Sequence, residues 1–157
     1  MQKISPCLWF DGKAEQAAHF YVGIFKNASI LETTLYPEVA PMPAGTVMTV
    51  RFVLDGMEYL ALNGGPEFRF SPAISFVVYC DTQPELDAMW EKLSVGGATQ
   101  QCGWLTDQFG VCWQIVPRIL PSLMRGDDAA ATQRVMAALL QMCKLDIAAL
   151  EQAYRHA

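Results

Sequence analysis

The stretch QCGWLTDQFGVCWQIVP, residues 101–117, decides the fold. Two apolar runs, 104–106 and 111–116, flank Asp107, Gln108, Phe109 and Gly110. That tetrapeptide is turn chemistry: aspartate accepts from its own backbone two residues on, and glycine takes a positive φ. The stretch therefore reads as a β-hairpin, with Pro117 closing its second strand. It also holds two of the chain's four tryptophans and two of its five cysteines.

A second hairpin lies upstream. Residues 46–54 and 57–63 alternate around Asp55-Gly56, the dipeptide that suits a two-residue hairpin loop. In that register Phe52 opposes Tyr59 and Arg51 opposes Leu60, which sets Arg51 and Glu58 on one face. Ahead of this hairpin, residues 4–10 form an apolar strand that Asp11-Gly12 ends. Residues 13–25 then carry Ala14, Ala17, Ala18, Tyr21, Ile24 and Phe25 on one helical face, with Glu15, His19 and Lys26 on the other. Asn27 suits the helix exit. Residues 28–36 read as a strand and 37–45, with three prolines, as a loop.

The same order recurs ahead of the 101–117 hairpin. Residues 73–80 form an apolar strand ending at Asp81. Thr82 caps a helix over 84–93 that turns Leu86, Met89, Trp90 and Leu93 inward. Gly96-Gly97 stops it, and 98–101, 103–106 and 111–116 supply up to three more strands. The chain is thus a βαβββ unit written twice. The fold class is α+β. Residues 1–117 form one domain of two modules, 1–66 and 72–117, and 118–157 form a helical extension. In that extension 132–143 places Val135, Met136, Leu139, Leu140 and Cys143 on one stripe, and Asp146 starts a helix over 147–154.

Composition narrows the functions. Apolar residues are 52% and charged residues 17%, enough apolar surface for a sizeable core. The net charge of −5, without a Lys/Arg cluster, argues against nucleic acid and against an anionic membrane surface. No apolar run approaches the roughly 18 residues of a membrane span, and residues 1–6 do not read as a signal peptide. Five widely spaced cysteines without a CxxC fit free thiols in a cytoplasmic protein.

A doubled βαβββ resembles the vicinal oxygen chelate superfamily, which includes glyoxalase I, bleomycin-resistance proteins and extradiol dioxygenases. More narrowly, residues 8–12 (LWFDG), 17–21, 61–66 (ALNGGP), 74–76 (ISF), 101–117, and 134–136 with 146–147 look like the PhnB-like subfamily. Some of its members are labelled 3-demethylubiquinone-9 3-methyltransferases. The resemblance implies the glyoxalase/bleomycin resistance/dihydroxybiphenyl dioxygenase fold, a U-shaped mixed sheet whose cup faces a small ligand. It also implies a homodimer. Metal-using members place His, Gln or Glu at four cup-facing strand positions. Carried over, these fall near Ile4, Ala61, Ile74 and Gln114, so only Gln114 carries a possible ligand. A divalent-metal site wants several converging donors, and the chain has only His19 and His156, both at surface positions. No cofactor is therefore expected.

The expected function is binding of a small molecule in an apolar cup. The rivals are a metal-dependent enzyme with a displaced site and the methyltransferase of the subfamily label. Against the latter, a nucleotide-type cofactor site usually shows a Gly-rich turn between a strand and a helix, and only Asp11-Gly12 follows the first strand. The candidate ligand-binding residues are Asn63, Phe76, Cys102, Trp104 and Gln114. Gln114 shares a face with Cys112 and Val116 and suits orienting a ligand on an apolar wall. Asn63 either donates to a ligand or caps its turn. Cys102 has no histidine nearby in sequence to activate it, so packing competes with nucleophilic chemistry. Asp11, Asp81 and Asp107 sit at strand ends or turns, where aspartate serves the backbone.

Overall fold

The computed structural model describes residues 2–156. The strands of those residues fall into two four-stranded sheets, one in each of two units, Met1–Phe70 and Ser71–Ala157.

In the first unit the order is β1 (Cys7–Phe10), α1 (Ala14–Val22), β2 (Ser29–Leu35), β3 (Val47–Leu54) and β4 (Met57–Asn63). The sheet runs β1-β4-β3-β2, with β1 parallel to β4 and the other pairs antiparallel. Asp55 and Gly56 both take positive φ, 48° and 82°, as the tight hairpin turn requires. Phe52 then faces Tyr59 and Arg51 faces Leu60, the register the Asp-Gly turn predicts. Arg51 reaches Glu58 at 3.5 Å and Glu32 at 3.6 Å.

One face of this sheet is covered by α1. Ala14, Ala17 and Ala18 are fully buried, and their small side chains let the helix lie close to the strands. Tyr21 stacks on Phe52 at 6.2 Å and Phe52 on Tyr59 at 5.4 Å. Leu8, Phe10, Val50, Leu54 and Ala61 complete the buried side. Strand alternation puts Cys7, Trp9, Thr49, Arg51, Glu58, Leu60 and Leu62 on the opposite, helix-free face.

The second unit repeats the order: β5 (Ser75–Cys80), α2 (Gln83–Ser94), β6 (Ala98–Thr99), β7 (Trp104–Thr106) and β8 (Cys112–Pro117). Its sheet runs β5-β8-β7-β6, again with one parallel pair, β5 with β8. Thr82 accepts from the Glu85 N–H and so caps α2, and the Glu85 carboxylate accepts from the Asp81 N–H just ahead of the cap. Leu86, Leu93, Leu105, Trp113 and Ile115 are buried.

Three further helices belong to this unit: α3 (Leu120–Met124), α4 (Ala129–Leu139) and α5 (Ile147–Arg155). Asp128 and Asp146 cap α4 and α5 by accepting from Ala131 and Ala149 N–H groups. Arg134 on α4 donates to the Ala153 and Tyr154 carbonyls at 2.8 Å, satisfying groups that the end of α5 leaves open. Gln83 anchors the tail on α2: it accepts from Ile147 N–H at 2.8 Å and donates to Leu145 O at 3.0 Å. Lys144 pairs with Asp87 at 3.0 Å. The hydrogen bond from Gln83 and the contact with Lys144 lower the Asp87 pKa.

Several elements differ from the sequence reading. The first strand begins at Cys7, not at residue 4, because Pro6 has no N–H to give a ladder; its carbonyl instead accepts from Leu60. Ile4 is left 83% exposed. The strand expected over 98–101 stops at Thr99, and Gln101–Gly103 is a 3-10 turn. Cys102 and Gly103 both take positive φ there, 61° and 81°, which reverses the chain. The helix expected over 132–143 starts and ends earlier. The carbonyls of Met142 and Cys143 are taken by the Cys102 and Gly103 N–H groups, a tertiary pairing no local pattern announces.

Candidate functional site

On β8, Gln114 is directly opposite Trp104 on β7 and beside Val77 on β5. The alternation of β8 sets Cys112, Gln114 and Val116 on the helix-free face, with Trp113, Ile115 and Pro117 toward the helix side. The Gln114 amide nitrogen donates to Ser75 Oγ at 2.9 Å. That bond holds the amide in one orientation and leaves the Ser75 hydroxyl proton and the Gln114 carbonyl oxygen to act on a ligand. By register Trp104, Val77 and Tyr79 lie on this same face, Val77 and Tyr79 being 40% and 44% exposed. The result is an apolar strand face carrying one oriented donor–acceptor pair.

Of the five sequence candidates, the structure brings Trp104 and Gln114 together. Phe76 points to the other side of the sheet, where it packs on Trp113 at 5.3 Å. Cys102 sits in the 3-10 turn ahead of β7. Asn63 belongs to the first unit, and its side chain is committed at both ends. Oδ1 accepts from the Ala14 N–H at 2.9 Å and Nδ2 donates to Val47 O at 3.0 Å. It thereby pins the start of α1, whose own N-cap residue, Lys13, offers no side-chain bond. Asn63→Ala is expected to lower unfolding stability by about 2 kcal/mol, since a buried N–H and a carbonyl both lose their partner. Urea denaturation measures this directly.

The first unit also holds a cavity of about 630 Å³, lined in part by Asp11, Glu15, Tyr36, Met42 and Asn63. Tyr36 closes one wall by donating to the Asn63 carbonyl. No sequence pattern announces it, because the 37–45 segment that shapes it reads only as a proline-containing loop.

The positions carried over for a metal do not form a donor set. Ile4 and Ile74 precede their strands and are exposed, and Ala61 is fully buried on the helix side, one residue out of phase with the open face. Their neighbours on the open faces are Cys7, Leu60 and Ser75, and the Gln114 amide is engaged by Ser75. Among the described residues, no three His, Cys, Asp or Glu side chains stand where they could hold one ion.

The buried acid of the unit serves architecture. Asp107 is 3% exposed. Its Oδ1 accepts from the Phe109 and Val111 N–H groups at 2.8 and 3.0 Å, and its Oδ2 accepts from Trp113 Nε1 at 2.9 Å. The turn role was legible in the sequence; the indole partner was not.

The cysteines separate by burial. Cys80 and Cys112 are buried, Cys102 is half-buried, and Cys7 and Cys143 are exposed. Burial, then Glu85 and Asp81, push the Cys80 thiol up to about 11, against Arg118. Native protein treated with a maleimide at pH 8 is expected to label at Cys143 and Cys7 and to stay unmodified at Cys80 and Cys112, as peptide mapping reads. Because the folded state holds the Cys80 proton more tightly than the unfolded state, its contribution to stability is complete below about pH 9. It is lost as pH rises toward 11.

Comparison with known proteins agrees with this architecture. The family model for 3-demethylubiquinone-9 3-methyltransferase matches residues 2–116. The chain is 36% identical to the PhnB protein from Bacillus cereus, whose description carries the same 3-demethylubiquinone-9 3-methyltransferase label as the family model. That match covers 74% of this chain and 99% of that one, with a TM-score of 0.68. Protein PA1353 from Pseudomonas aeruginosa shares the fold at 22% identity, covering 74% of this chain and 98% of its own, with a TM-score of 0.61. So does the fosfomycin resistance protein FosX from Listeria monocytogenes, solved with Mn(II) and sulfate. It is 14% identical, with 72% and 90% coverage and a TM-score of 0.51. No curated protein matches the chain. Among the described residues, no helix is long and apolar enough to cross a membrane. The doubled βαβββ order, the family match and the Bacillus cereus likeness together place the chain in the PhnB-like 3-demethylubiquinone-9 3-methyltransferase family of the vicinal oxygen chelate superfamily.

Proposed function

We propose that this protein binds a small, largely apolar molecule carrying a hydroxyl or N–H group, on the helix-free face of its second sheet. The observation that carries the reading is the cross-strand pairing of Trp104 with Gln114, whose amide is fixed by Ser75. Trp104, Val77 and Tyr79 supply apolar contact. The Gln114 carbonyl accepts from the ligand, and the Ser75 hydroxyl donates to it. Binding of this kind needs shape and two hydrogen bonds, and no metal donor set.

The reading also takes the protein to be a cytoplasmic homodimer, as symmetric pairing is the usual oligomeric choice. Sedimentation at micromolar concentration is expected to give twice the chain mass. The methyltransferase label is the rival. S-adenosylmethionine finds no Gly-rich strand-to-helix turn here, and calorimetric titration with it is expected to give no binding heat.

The direct test is a fragment screen by NMR on isotope-labelled protein, using small hydroxylated aromatics. Hits are expected to shift the Gln114 side-chain amide and the Trp104 indole signals. Hits that shift only residues around the cavity at Asp11 and Tyr36 would place binding in the first unit and overturn the proposal.

A further inference from the structure

We infer that Cys102 and Cys143 form a reversible intrachain disulfide, a modification site that ties the turn ahead of β7 to the segment between α4 and α5. The Cys102 N–H donates to Met142 O at 2.8 Å, and the Gly103 N–H donates to Cys143 O at 2.8 Å. Two consecutive backbone bonds therefore bring the main chains at the two cysteines together. Covalent geometry through the first of them keeps the two Cα atoms within roughly 7 Å. Disulfides span Cα separations of roughly 4.4–6.8 Å. The pairing is held from the other side as well: the Leu145 side chain packs where a Gly103 Cβ would stand, 3.1 Å away. Both thiols are free in the structure; Cys143 is exposed and Cys102 half-buried, so a dissolved oxidant reaches them.

The oxidant is a low-molecular-weight disulfide. The Cys143 thiolate attacks one of its sulfurs, the S–S bond breaks, and one small thiol leaves with Cys143 in a mixed disulfide. Cys102, its proton released to solvent, attacks the Cys143 sulfur, and the second small thiol leaves. The two cysteines lose two electrons and two protons, which end on the two released thiols. The bond closes the loop that carries β7, β8, α3 and α4, and so restrains the strand that presents Trp104.

The test incubates the full chain with oxidised glutathione, blocks remaining thiols by alkylation and maps the peptides by mass. The expected result is a monomer containing one crosslinked pair, Cys102 to Cys143, that has lost both thiol hydrogens and is undone by dithiothreitol. In Cys143→Ser, at an exposed position that leaves folding intact, the crosslink is absent and Cys102 is alkylated. A Cys143 that carries only glutathione, or that joins a second molecule, while Cys102 stays alkylatable, would overturn the inference.

Discussion

Asp107→Ala is expected to lower the free energy of unfolding by about 4 kcal/mol, because one buried carboxylate answers three donors. Removing it strands the Phe109 and Val111 N–H groups and the Trp113 indole N–H, in a place where water does not replace them. Trp113 is itself one of the largest fully buried side chains, so the loss reaches the core of the second unit as well as the turn. Asp107→Asn separates the contributions. Its carbonyl oxygen still serves the two backbone groups, but its NH2 then faces the indole N–H donor to donor. An intermediate loss of about 2 kcal/mol is expected. Urea unfolding followed by tryptophan fluorescence measures both variants. Equal stability of Asp107→Ala and the parent would remove Asp107 from the architecture described here.

Gly97→Ala is expected to destabilise by about 3 kcal/mol, for a steric reason. A Cβ at Gly97 would lie 2.1 Å from the Thr106 carbonyl oxygen and 2.9 Å from the Asp107 backbone. Both obstacles are main chain and cannot rotate away. The β6–β7 pairing of Ala98 with Thr106 must therefore separate or shift. Gly12→Ala is the matched control, since a Cβ there meets nothing within 4 Å and carries only the strain of a φ of 75°. It is expected to lose about 1 kcal/mol. Thermal unfolding of the two variants side by side checks the difference.

How much of this was readable in the chain follows the range of the forces involved. The Asp55-Gly56 turn, the Thr82 and Asp146 caps and the Ala14–Ala18 helix face are local, and each sits where the sequence puts it. The doubled βαβββ order follows from them. The failures are tertiary. Past the end of α4, the Met142 and Cys143 carbonyls are taken by the N–H groups of Cys102 and Gly103, about forty residues away in the chain. Asn63 reads equally as a turn residue or a ligand donor until Ala14 and Val47 are seen to occupy it. For the site, alternation alone places Cys112, Gln114 and Val116 together. Choosing the open side of the sheet needed α2, and finding Ser75 as the partner of Gln114 needed the parallel register of β5 with β8. Phe76 lies one residue from Ser75 and so faces the opposite way, a distinction that only the strand phase decides.

The central claim is that an oriented amide on an apolar wall, and no metal, recognises the ligand. It is tested most directly by the affinity of the tightest small hydroxylated aromatic from the screen. That affinity is measured by calorimetry on the parent protein, on the parent with excess EDTA and on Gln114→Ala. One lost hydrogen bond predicts about tenfold weaker binding to Gln114→Ala, with no change on adding EDTA. Unchanged binding to Gln114→Ala, or binding abolished by EDTA, would contradict it.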